Sequence, residues 1–457
     1  MFSDIVFELS TEKIRKDFGD LCATIFQIVS YQNGCFIHEL NCVFPKVQYS
    51  VIRTSLFLLF QHNIVYFSSN FHKNFCGNYI IKRIKIFSRI YEPIYRFRFL
   101  RYISLIEQEY GVIGKYLMKN FLENGQIFPM YIIKNHTIND KIKRSEIEDI
   151  FIQMARDGLV GLVLDCFYSK KTSFKIFPEK KIFLKPLFEN RIFFWKISTF
   201  RLNIILRVSL VFGIINEYYG NKLLNIGRSC LCRILGVKLD YFFTGRFSID
   251  TLIDDKNDFK KDNISNETLI IQNIEEFSSN DFFVTFKQSS IKIFYNKFLE
   301  ILKIKTIENL ITNQFSHEFW IVFSSLKKNV GNSEKEITKD CMLNDLIVRK
   351  QLYRMYRLGY IYIQEQEKTQ DHPDIQTIFF WKLNFEMIKK KFISEILKSI
   401  FNIVLKIEDM ELILIKSLFS KIIEEKIYFY KTSLSHQIKA LLVSLIRLDE
   451  ILLLMDF

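Results

Sequence analysis

Apolar positions along the chain fall into a recurring order, helix period first and strand period after. Leu21, Ile25, Ile28 and Val29 recur at helical spacing and stop near Asn33-Gly34, a helix end. Residues 36–42 predict a short second helix before Pro45, and Val47, Val51, Ile52, Ser55, Leu56, Leu59 and Phe60 a third, amphipathic one. A strand over 64–67, a polar tip over 68–78 with Gly77, and a strand over 79–86 follow. Three helices and a two-stranded ribbon make the winged-helix pattern, a relative of helix-turn-helix. A similar order recurs over 113–124, 145–156, 158–167 and 182–197, with a turn at Asn124-Gly125. A third unit is expected from 202–217, 223–235 and 281–286, with 250–280, rich in Asp, Lys, Asn and Ser, as a disordered insertion. A fourth runs through 319–328 and 341–358 to strands at 360–364 and 377–384 around the tip 365–376.

From Phe385 the period changes. Ile393, Leu397, Ile400, Val404 and Ile407, then Leu434, Ile438, Leu441, Leu445, Leu448 and Leu452, keep the a/d spacing of a coiled coil. Tyr430-Lys431-Thr432-Ser433 lies between them, where Thr432 or Ser433 is placed to cap the second helix of an antiparallel hairpin. That second helix ends in an apolar tail and is expected to dock on a larger surface through Leu434, Ile438, Leu441, Leu445, Leu448 and Leu452. The expected fold is mainly α with small β wings: winged helices over 18–90, 100–195, 196–312 and 315–385, then a helical hairpin over 386–457.

Composition sharpens this picture further. With 457 residues, 49% of them hydrophobic and 16% aromatic, the chain can bury several separate cores. A formal charge of +14 suggests an anionic partner such as nucleic acid, an acidic protein tail or a membrane surface. The 47 Phe and low Gly and Pro counts fit an A+T-rich coding sequence, which also inflates the Lys content. The eight Cys, at 22, 35, 42, 76, 166, 230, 232 and 341, include no C-x-x-C pair, so reduced thiols rather than a zinc site are expected. No run reaches the ~20 largely apolar residues of a membrane span. No Gly-rich phosphate loop, H-E-x-x-H or nucleophile elbow is present, so no enzyme, catalytic residue, metal or cofactor is expected.

The sharpest local chemistry is a basic stripe of Lys82, Arg83, Lys85, Arg89, Arg96, Arg98 and Arg101, opposed by Glu92 alone. Phe87, Tyr91, Tyr95, Phe97, Phe99 and Tyr102 are interleaved with it. Such a stripe can neutralise phosphates and stack on unpaired bases. The bland alternative is a solvated strand and linker whose aromatics fill the core, and protein contact is a third use. Lys73 in the first wing and Arg349, Lys350, Arg354 and Arg357 on the fourth unit's third helix are further contact candidates. The first unit's third helix offers only Lys46, Gln48, Arg53 and Thr54, a thin basic face that predicts protein docking rather than base readout. His62 and His372 read as turn residues.

Several runs resemble one family. Residues 51–65, from Val51-Ile52-Arg53 to Gln61-His62-Asn63, look like the third helix and first wing strand of the large winged-helix subunit of the RNA polymerase III-specific heterotrimer. Residues 95–103, with Arg96, Arg98 and Arg101, resemble that family's basic linker. Trp195 to Arg201 resembles the segment opening its third domain, and Gln364-Glu365 through Trp381 its fourth-domain wing. The resemblance is piecewise, from about residue 20 to the C-terminus, and departs at Pro373-Asp374-Ile375-Gln376. It implies a nuclear, non-catalytic subunit, similar to the larger subunit of TFIIE. Such a subunit sits on the clamp of the polymerase III core with two smaller subunits, contacting TFIIIB and promoter DNA during initiation on transfer-RNA and other short genes. It implies neither membrane association nor homo-oligomers. Two other classes compete: a scaffold of the PCI or ESCRT type without nucleic-acid contact, and a sequence-specific repressor dimerised by its zipper.

Overall fold

The computed structural model describes residues 2–73, 79–128, 131, 144–162, 194–219, 244–248, 284–287, 290–328, 332–366, 378–419 and 424–455. They belong to two compact units, 3–242 and 243–457.

The first unit opens with a helix, α1 (Phe2–Phe18), that the hydrophobic pattern did not reveal. Its inward face holds Ile5, Val6, Leu9 and Ile14 but also buried Ser10 and Thr11. Those hydroxyls interrupt the apolar period and are satisfied by carbonyls: Ser10 donates to Ile90 at 2.6 Å and Thr11 to Phe7 at 2.8 Å. Helix α2 (Asp20–Tyr31) stops at left-handed Asn33 and Gly34, φ 48° and 101°. A Cβ at Gly34 would lie 2.6 Å from the Phe87 ring, so both the turn and the close approach require glycine. Strand β1 (Cys35–Phe36), α3 (Ile37–Val43) and α4 (Tyr49–Gln61) follow. Then come β2 (Val65–Lys73) and β3 (Tyr79–Ser88), in an antiparallel sheet of order β1-β3-β2. The ribbon continues well past the expected tip boundary at 68, because the polar residues of 68–73 keep their ladder partners across a bulge at Asn70/Phe71. Phe26, Val29, Leu40, Ile52, Leu56, Leu59 and Ile86 close the core.

A short helix, α5 (Glu92–Tyr95), and a 3-10 turn (Arg96–Arg98) lead into α6 (Phe99–Asn124), kinked at Gly111. Helix α7 (Arg144–Arg156), the antiparallel pair β4 (Val160–Leu162) and β5 (Trp195–Ile197), and α8 (Thr199–Tyr219) are the remaining described elements of this unit. Trp195 is buried edge-on against Phe151, ring centroids 5.0 Å apart. The expected helix over 223–235 and the polar insertion 250–280 lie outside the described residues, as does all of 163–193.

In the second unit β6 (Thr244–Ser248), β7 (Val284–Lys287) and β8 (Ser290–Phe294) form an antiparallel sheet of order β6-β8-β7. The boundary at 242/243 falls inside the span expected for the third winged helix. Helix α9 (Tyr295–Gln314) precedes a three-helix and ribbon unit: α10 (His317–Lys328), α11 (Glu334–Cys341), α12 (Asp345–Arg357), β9 (Ile361–Gln366) and β10 (Ile378–Leu383). Ser333 and Glu336 form a capping box on α11, and Asn344 caps α12 by accepting from the Leu346 amide at 3.1 Å. The chain is thus mainly helical with small β wings.

Two long helices, α13 (Phe385–Phe419) and α14 (Glu424–Leu454), end the second unit. They pack on each other, and the few residues joining them are too short to let them run parallel. The expected cap at Thr432 or Ser433 is not one: α14 begins at Glu424, and both residues lie inside it. There the Ser435 hydroxyl bonds back to the Thr432 carbonyl at 2.8 Å. No described helix is long and apolar enough to cross a membrane.

Candidate nucleic-acid and partner interface

The basic stripe divides when the chain folds. Lys73 lies on β2 opposite Tyr79, and Lys82 and Arg83 lie on β3, with Arg83 opposite Asn70; their side chains lie outside the described residues. Lys85 is half-buried, 5.4 Å from the centre of the Phe87 ring, and Arg89 is similarly placed 5.2 Å over Tyr66. Beyond Arg89 the cations turn inward. The Arg96 guanidinium donates to Asp17 at 2.5 Å and stands over Phe18 and Phe99 at 4.8 and 4.9 Å. His62, the C-cap of α4, lies 3.5 Å from it. Burial and the Arg96 charge hold the His62 ring down to about 4, so it is neutral near pH 7.

Arg98 is fully buried. It donates to Asn203 Oδ1 at 2.9 Å, and Tyr102 donates to the same oxygen at 2.6 Å. Asn203 belongs to α8, so residues 96–102 tie α1, the end of α4 and α8 together. Arg101 is half-buried and partnered. Arg96 and Arg98 are therefore taken out of the set available to phosphates. Next to this clasp, Asn63, Arg89, Glu92, Lys196, Ile197, Thr199 and Phe200 line a cavity of about 330 Å³. Glu92 accepts from the Thr199 hydroxyl at 3.2 Å, and burial pushes its carboxyl up.

Helix α12 behaves in the opposite way. Val348, Gln351, Leu352 and Met355 face the core, which leaves Leu346, Lys350, Tyr353 and Arg357 as an outward ridge at i, i+4, i+7, i+11. Leu346 is 71% and Tyr353 57% exposed, and Met342, in the turn before the helix, is 94% exposed. Lys350 and Arg357 are exposed and have no ion pair among the described residues. Of the other two expected cations, Arg349 is held by Glu334 at 2.7 Å and Arg354 stacks over Phe315 and Phe319 at 5.3 and 5.8 Å. Trp381 on β10 meets Tyr353 and Tyr356 edge-on and props this face. Leu346, Tyr353 and Met342 were not singled out from the sequence, although the helical step from Lys350 and Arg357 was enough to find the first two.

Helix α4 presents a less polar face. Lys46, Gln48, Arg53 and Thr54 are all exposed, but Tyr49, Val51 and Phe57 stand among them. On the hairpin, Leu434, Leu445 and Leu452 are buried and Ile438, Leu441 and Leu448 half-buried, on the face turned to Ile393, Leu397, Ile400, Val404 and Ile407 of α13. The expected docking set thus lies along the seam of the hairpin, three of its members buried and three half-exposed. Cys22, Cys35 and Cys341 are buried, and burial pushes their thiols up, Cys35 to about 11. Among the described residues no cluster of His, Cys, Asp or Glu has the arrangement of a metal site. His372 lies outside them.

Residues 307–383, from the second half of α9 to the end of β10, match the family described as POLR3C, C-terminal winged-helix domain. No curated protein matches the chain. The matched span contains the whole three-helix and ribbon unit that carries the outward ridge of α12. Over that domain the chain is similar to the large winged-helix subunit of RNA polymerase III, and the match supports its identification as a subunit of that kind.

Proposed function

We propose that this subunit is a non-catalytic, nuclear component acting in initiation on transfer-RNA and other short genes, docked on the polymerase clamp with two smaller subunits and in contact with TFIIIB. In this reading α12 lies along promoter DNA. The carrying observation is its outward ridge, where Lys350 and Arg357 flank Tyr353 and Asp345 is the only acid within the helix itself. Two cations reach phosphates, and a tyrosine between them stacks on an unpaired base. Sequence readout is not part of the proposal. A recognition helix reads bases with its N-terminal residues, and here those are Asp345 and exposed Leu346, while Asn344 is spent on the cap.

The test pairs two measurements. Gentle purification of the tagged chain from its nucleus should bring down the two largest polymerase III subunits and two small partners in stoichiometric amounts. The purified chain should bind a single-stranded oligonucleotide with a salt slope that falls by roughly 1.4 when Lys350 and Arg357 are both made Ala, two contacts at about 0.7 each. Proteasome or vesicle-sorting partners would favour the PCI or ESCRT reading, and an unchanged slope would remove α12 from the DNA.

A further inference from the structure

The cavity beside the Arg96–Tyr102 clasp is lined by groups of both charge signs. Its volume of about 330 Å³ is at the lower end of the range for small-molecule pockets, about 300–1,000 Å³. It lies where the turn after α4 and the end of β3 meet β5 and the first turn of α8. Glu92 is its acid, and Arg89 and the buried Lys196 are its cations. Outside the lining, Arg96 also acts on Glu92 and is itself paired with Asp17. The Thr199 hydroxyl is spent on Glu92 at 3.2 Å. Asn63 accepts from Gln126 through Oδ1 at 3.1 Å, so a donor is what it can turn to an occupant. Ile197 and Phe200 form the apolar wall, and Phe200, 65% exposed, stands at the rim.

The two signs together narrow the occupant. A carboxylate or phosphate would meet Glu92, and an ammonium or guanidinium would meet Arg89 and Lys196, so a simple ion of either sign is opposed. A neutral planar group with donors on one edge and acceptors on another suits all three charges and gives Phe200 a face to stack on. Among the nucleobases guanine has those edges. Its N1–H and N2 amine are adjacent donors, and its O6 and N7 are the acceptors that Arg and Lys engage. Thymine and uracil set their donor between two acceptors, and adenine and cytosine carry a lone amine donor.

We propose that this cavity takes one unpaired guanine base, with N1–H and the N2 amine on the Glu92 carboxylate, O6 and N7 toward Arg89 and Lys196, and the ring against Phe200. The chemistry is that of guanine in a strand or in a free nucleotide; the choice of a strand rests on the initiation reading above. The cavity then adds a preference for one base to a reading in which α12 has none.

The experiment follows the anisotropy of fluorescein-labelled oligothymidylate on the purified full chain, with the central dT kept or replaced by dG, deoxyinosine or 7-deaza-dG. Free GMP is titrated separately. The dG probe should bind about tenfold tighter than the all-dT probe. Deoxyinosine, which lacks the N2 amine, and 7-deaza-dG, which lacks the N7 acceptor, should each lose part of that gain. Phe200→Ala, at an exposed side chain, should remove most of it with an unchanged thermal melt, and Glu92→Gln should bring dG to the level of deoxyinosine. GMP binding weakened by the same two substitutions, with dG and dT probes alike, upholds the guanine site and assigns it to a free nucleotide. No guanine preference in either probe, or one that survives both substitutions, overturns the proposal and leaves the α12 reading standing, because the salt slope carries that. A guanine preference with a slope that ignores Lys350 and Arg357 upholds the cavity and overturns the α12 reading instead.

Discussion

Residues 96–102 and helix α12 both set arginines among aromatics and end with opposite roles. In the first, Arg96 and Arg98 are consumed by Asp17, Asn203 and the rings of Phe18, Phe99 and Tyr95. In the second, Lys350 and Arg357 point to solvent beside Tyr353. What separates them is the partner presented by distant chain: Asp17 and Asn203 come from α1 and α8, 79 and 105 residues away. A basic-aromatic pattern therefore locates cations but does not say whether they serve the interior or a ligand.

The strongest way to break this contrast is Arg98→Ala. Removing a fully buried, hydrogen-bonded cation from beside Asn203 should cost the first unit about 3 kcal/mol, read by denaturant unfolding, with oligonucleotide affinity unchanged at saturating folded protein. Loss of affinity without loss of stability would return the linker to the DNA. Arg96→Ala comes next, at roughly 2 kcal/mol, since an ion pair and two ring contacts go together.

The same substitution carries a pH signature. The folded His62 ring titrates near 4, below its ordinary value, so between about 6.5 and 4 the unfolded chain binds the proton that the folded chain refuses. Stability present above pH 6.5 is thus lost as the pH falls through that window. Arg96→Ala removes one of the two causes, so it should move the His62 titration upward in an NMR experiment; an unmoved ring would mean that burial alone sets it.

A Lys350→Glu/Arg357→Glu variant should weaken oligonucleotide binding about tenfold, measured by anisotropy, while the melting temperature stays put. A drop in melting temperature would place those side chains in the fold after all. The smallest effect is expected from Arg53→Ala on α4, within about 0.5 kcal/mol in stability and without effect on the salt slope. A slope change there would extend the DNA path to the first winged helix.

Much of the architecture was legible. The helix-helix-helix-ribbon order of the first and fourth units follows from period alone, and so does the a/d seam of α13 and α14, because burial of one face per element leaves a direct trace in the sequence. Helix α1 left none, since Ser10 and Thr11 share its buried face, satisfied by the carbonyls of Ile90 and of Phe7 one turn back. The end of the hairpin was misplaced at Thr432-Ser433 because hydroxyl residues suit both a cap and a helix interior, and here the helix already begins at Glu424.

The chain by itself determined which residues are cations, aromatics and seam positions. Only the tertiary structure decided which charges are free. Periodicity records how a residue sits on its own element. Whether Arg98 meets water or Asn203 depends on contacts between elements far apart in sequence, whose chemistry no local pattern contains.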